Sequence, residues 1–102
     1  MEIILNSCYG GFGFSEEFTE EYMKRTGETN ITPLNSEYLI ERTDIVAIEI
    51  VKELGELANC SYSELVVAEI PDGSEYYISD YDGIEALYYG EKIRVIESYE
   101  CN

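Results

Sequence analysis

A chain of 102 residues suits one domain with one modest core, and a hydrophobic content of 45% excludes a disordered acidic tail. Twenty-two acids against six bases give a formal net charge of −16, which excludes nucleic acid and anionic membranes as direct partners and favours basic surfaces. No segment is long and apolar enough to span a bilayer, and no basic stretch precedes an apolar run at the start, so a cytoplasmic protein is expected.

In chain order, Glu2–Asn6 (EIILN) reads as a short strand and Ser7–Gly13 as a glycine-rich loop. Ser15 is a good N-cap for a helix over Glu16–Thr26, with Glu16 and Glu17 where the helix dipole favours anions. Phe14, Phe18 and Tyr22 recur every four residues and share one face, and Gly27 is placed to end the helix. Pro33 reads as a breaker in a loop, and Glu37–Glu41 (EYLIE) as a strand. Thr43 or Asp44 caps a second helix over Ile45–Ala58, with Gly55 weakening its end. Leu65–Ile70 reads as a strand, Pro71-Asp72-Gly73 as a turn and Glu75–Ser79 as its hairpin partner. Asp82-Gly83 is a second turn, Ile84–Tyr89 is strand or short helix, and Lys92–Glu97 alternates as a last strand. The expected fold is α+β: a single domain over 1–102 with two helices packed on one side of a small, mostly antiparallel sheet.

Strand, glycine-rich turn and helix N-terminus is the arrangement that holds phosphates. Yet Gly10-Gly11-Phe12-Gly13 lacks the GxGxxG spacing, no GK[ST] follows, and two glutamates open the helix where a phosphate would sit. The preferred reading is a tight structural turn in which Phe12 and Phe14 anchor the helix; a partner-contact loop is the other option. The three cysteines, Cys8, Cys60 and Cys101, form no CxxC, and the chain has no histidine, so a four-ligand zinc site is excluded. Cys8 and Cys60 are expected to be packed thiols and Cys101 a free one. A nucleophile would lack its customary base. Asp80 and Asp82 flank Tyr81 as cation ligands would, but DYDG reads first as an ordinary turn. No catalytic residue, metal or cofactor is expected.

The candidate site is an interaction surface. Glu16 and Glu20, and Glu17 and Glu21, lie four apart and stack on one helical face. Further acids are spread over Glu37, Glu41, Glu49, Glu53, Glu56, Glu75, Asp80, Asp82 and Glu85. Carboxylates on a rigid scaffold resemble in charge the phosphates that a basic nucleic-acid groove expects. Tyr76-Tyr77 and Tyr88-Tyr89 place one ring on each face of a strand; the outward rings, Tyr77 and Tyr88, are candidate contacts. The partner-binding set is thus Glu16, Glu17, Glu20, Glu21, Tyr77, Asp80, Asp82 and Tyr88. A homodimer through a sheet edge is a further option.

Three stretches carry a resemblance: NSCYGGFGFS (Asn6–Ser15), IVKELGELANCSYSELVVAEIPDG (Ile50–Gly73) and YYISDYDGIE (Tyr76–Glu85). Together they resemble, in order, a family of short and mostly uncharacterised proteins encoded by phages and prophages. Relatives carry a histidine after the YDG segment; YYGEKIRV (Tyr88–Val95) has none. The resemblance implies a mobile-element origin and a bacterial host cytoplasm. By analogy it implies an inhibitor of host defence, such as an anti-CRISPR protein that binds a CRISPR nuclease complex. Two alternatives stand beside it: a sponge for an immune signalling nucleotide, and an acidic phage accessory protein.

Overall fold

The computed structural model describes residues 1–101. Its elements are β1 (Glu2–Asn6), α1 (Glu16–Thr26), α2 (Pro33–Leu39), α3 (Ile45–Leu54), a 3-10 turn (Gly55–Ala58), β2 (Leu65–Glu69), β3 (Tyr76–Tyr81), β4 (Ile84–Tyr89), β5 (Arg94–Glu97) and a short 3-10 turn (Ser98–Glu100). The fold is α+β, with three helices and two antiparallel sheets, β1-β2 and β3-β4-β5. The expected pair of helices and single sheet are corrected accordingly.

β1 organises the layers because successive side chains point to opposite faces. Ile4 packs among the helices with Phe14, Phe18, Tyr22, Ile48 and Ile50. Ile3 and Leu5 pack the other way, against Leu87 of β4. The β1-β2 sheet therefore lies between the helices and the β3-β5 sheet. The aromatic stripe of α1 is fully used: Phe14 and Phe18 stack at 4.0 Å between ring centroids, and Phe18 and Tyr22 follow at 6.1 Å. Ser15 caps α1 by accepting from Phe18 N at 3.0 Å, and Gly27 closes it at φ 78°.

Three boundaries differ from expectation. EYLIE is not a strand; Glu37, Tyr38 and Leu39 end α2, and Ile40 and Glu41 follow it. The helix starts one turn earlier, where Thr32 and Asn35 form a capping box and Pro33 occupies the first turn. Pro33 thus opens a helix, a position where its missing N–H costs nothing. The second predicted helix stops at Leu54, because Gly55 takes φ 57° and ψ −125° and the chain tightens into a 3-10 turn. Finally, β2 and β3 are not a hairpin. Ser74 N reaches Pro71 O at 3.2 Å, so the turn forms as read, but β2 pairs with β1 and β3 pairs with β4. The Asp82-Gly83 turn does make a hairpin. Both residues have positive φ, 53° and 97°, as a two-residue turn of right-handed strands requires. Ile84–Tyr89 is a strand, in register with β3 on one side and β5 on the other.

Candidate interaction surface

The glycine loop meets protein on both sides. A Cβ at Gly10 would lie 1.9 Å from Tyr62 O, one at Gly13 would lie 2.8 Å from Cys60 Sγ, and one at Gly83 would lie 2.4 Å from Tyr9 O. The glycines are small because the Tyr62 segment and the β3-β4 turn press against them. Phe12 and Phe14 meet edge to face at 5.0 Å and are buried with Ile4 of β1 and Phe18 and Tyr22 of α1.

Asn6, fully buried, ties the loop to both sheets. Its Nδ2 donates to Cys8 O at 2.7 Å and Gly83 O at 2.6 Å, and its Oδ1 accepts from Glu64 N at 2.8 Å. Its backbone N–H donates to Glu85 Oε1 at 2.7 Å. Glu85, counted from sequence among the surface acids, is 3% exposed and belongs to the interior. Arg42 forks onto it at 2.7 and 2.8 Å, donates to Ile4 O at 3.0 Å and lies 3.5 Å above the Phe12 ring.

The cysteines serve packing. Cys8 Sγ donates to Tyr62 O at 3.0 Å, Cys60 Sγ contacts Ser63 Oγ at 3.3 Å, and no disulfide joins any of the three. Cys8 and Cys60 line an open cleft of about 590 Å³ together with Tyr62. The Cys60 thiol beside it pushes the Tyr62 hydroxyl up from its ordinary pKa. Cys101 is half-buried, and that burial pushes its thiol up. Among the described residues, no three carboxylates or thiols converge as metal ligands would.

The candidate contact residues fall on two separate surfaces. Glu16, Glu17 and Glu20 are exposed on α1, which packs on α3, α2 and the first 3-10 turn. Glu21 is half-buried and committed: Arg25 Nε donates to it at 2.8 Å, holding its carboxyl below the usual range, and Arg25 also reaches Glu53. The β3-β5 sheet meets the rest of the chain chiefly where β4 crosses β1. On the face turned away from β1, Tyr77 and Tyr88 are cross-strand partners, stacked at 4.9 Å with planes 2° apart. Tyr76 and Tyr89 share the opposite face, where Tyr89 packs against the core. Asp80 is tied locally, accepting from Gly83 N at 2.8 Å, and so braces the turn; Asp82 is exposed at the turn itself.

Sequence reasoning passed over three rings. Tyr9, Tyr81 and Tyr99 are 67%, 77% and 70% exposed, and with Tyr88 they line one open groove. The available signal is Tyr81 immediately before a two-residue turn, which places it on the same face as Tyr77 four residues earlier. Among the described residues, no helix is long and apolar enough to cross a membrane. None of the protein-family models, curated proteins or solved structures compared with the chain matches it.

Proposed function

We propose that this protein is a mobile-element-encoded inhibitor that occupies the positively charged nucleic-acid groove of a host defence nuclease, foremost a CRISPR effector. It acts by steric and electrostatic competition, without turnover. The observation that carries the reading is the placement of its charge. The net charge is −16, most of the acids are exposed, and the buried one, Glu85, is already neutralised by Arg42. Arg25, Arg42 and Lys52 are engaged in ion pairs within the chain, which leaves few cations to offset the outer carboxylates. A groove that gains affinity from phosphates gains it from such a surface as well.

The test is DNA cleavage by a guide-loaded nuclease, with this protein titrated in before the target, at two salt concentrations. Inhibition complete near one equivalent and weaker at higher salt is expected. Inhibition at far below one equivalent, or none with any nuclease type, contradicts the proposal.

A further inference from the structure

The outward face of the β3-β5 sheet holds rings that the core does not use. Tyr9, Tyr81, Tyr88 and Tyr99 line a groove of about 520 Å³, with Glu97 in its wall. A second groove of about 360 Å³ shares Tyr88 and adds Tyr77, Glu75 and Glu91. Each groove sets aromatic faces beside carboxylates. Lys92 and Arg94 are the bases nearby, and Arg94 is in register with Tyr89, on the opposite face of the sheet.

The chain itself shows which cation this combination suits. Arg42 stacks on Phe12 while forking onto Glu85. A planar guanidinium does both at once, whereas a lysine ammonium is a hydrated point charge that neither forks nor stacks flat. Nucleobases also stack on tyrosine, but their phosphates would face Glu75, Glu91 and Glu97. A second copy of the chain would bring its own −16 against the same charge.

We infer that this face docks an arginine-bearing segment of the partner, with guanidinium groups stacked on Tyr81, Tyr88 and Tyr99 and paired with Glu75, Glu91 and Glu97. The inference rests on the proposed basic partner and names the chemistry that holds it. The acids of α1 supply long-range attraction, and the tyrosine face distinguishes arginine from lysine.

Fluorescence anisotropy tests this with two labelled peptides of equal length and charge, one alternating glycine with arginine and one glycine with lysine, titrated with the intact protein at physiological salt. The arginine peptide is expected to bind about ten-fold more tightly. Tyr81→Ala with Tyr99→Ala brings the ratio close to one, while Tyr81→Phe with Tyr99→Phe, which keep the rings, preserves it. Glu16→Gln, Glu17→Gln and Glu20→Gln together weaken both peptides alike and leave the ratio. Equal affinity for the two peptides overturns the inference, as does a ratio that the alanine pair does not move. Wild-type dimers dissolved by the alanine pair would place a second copy on the face and overturn it too. An arginine preference without nuclease inhibition defeats the functional reading and keeps this surface; inhibition without the preference does the reverse.

Discussion

Arg42 and Glu85 form a two-pronged ion pair, at 2.7 and 2.8 Å, between the segment before α3 and the start of β4 in the outer sheet. The same carboxylate accepts from Asn6 N on β1, so one buried acid joins both sheets and the helical layer. Removing the cation alone leaves that charge uncompensated. Arg42→Met is expected to cost about 3 kcal/mol in urea unfolding. Adding Glu85→Gln should recover part of the loss, since the neutral amide needs no counter-ion. Equal stability of Arg42→Met and the parent would show that the pair does not hold the layers together.

Tyr22 donates to Asp44 Oδ2 at 2.7 Å, and Asp44 also caps α3 by accepting from Ala47 N at 3.0 Å. Burial, and then the hydrogen bond to Asp44, push the Tyr22 hydroxyl up from 10 to about 12. The raised pKa favours the neutral phenol in the folded state. Its contribution is therefore complete below pH 10 and is lost as pH rises towards 12. Tyr22→Phe is expected to cost about 1 kcal/mol at neutral pH. The gap between parent and variant should shrink across that alkaline window; a gap constant from pH 8 to about 12 contradicts the linkage.

Gly83 and Gly27 both have positive φ, yet they predict different costs. Nothing lies within 4 Å of a Cβ at Gly27, so Gly27→Ala pays only for its backbone conformation, about 1 kcal/mol. Gly83→Ala adds a collision with the Tyr9 backbone and should cost about 2–3 kcal/mol. Thermal melting of the two variants gives the comparison. Equal losses would mean that the loop does not press on the turn.

The acids of α1 act on their helix in opposite senses: Glu16 stands in the first turn, where the dipole favours an anion, while a like charge follows four residues on. Glu16 and Glu20 are exposed like charges four apart. Replacing both with glutamine removes the repulsion together with the dipole and Lys24 attractions, so stability should change by less than about 0.5 kcal/mol, while the amount needed to inhibit the nuclease rises. A variant that inhibits as well as the parent would remove these residues from the contact.

What local signals encode was legible before the structure. Ser15, Gly27 and the Phe14-Phe18-Tyr22 stripe specify α1 by capping and period, and Asp82-Gly83 specifies its hairpin. Pro33 by itself reads as a breaker in a loop, and only the capping box of Thr32 and Asn35 makes it the opening of α2. PDG signals a turn but not what the flanking strands pair with, so the pairing of β1 with β2 is not legible from it. The candidate site was half legible. The exposed acids of α1 follow from helical spacing, and the outward pair Tyr77 and Tyr88 from strand alternation. Glu85 looks like every other acid in the sequence, and only the approach of Arg42 and Asn6, distant in the chain, makes it interior. Tyr9 and Tyr99 reach the groove of Tyr81 through tertiary contacts that no spacing encodes.

The measurement that tests the central claim most directly is competition for one groove. Labelled protein is titrated with a guide-loaded CRISPR nuclease, alone and with increasing amounts of a short target duplex. Mimicry predicts mutual exclusion: the apparent Kd rises in proportion to duplex concentration, and higher salt weakens binding in both series. A stable complex of nuclease, duplex and this protein together would contradict it.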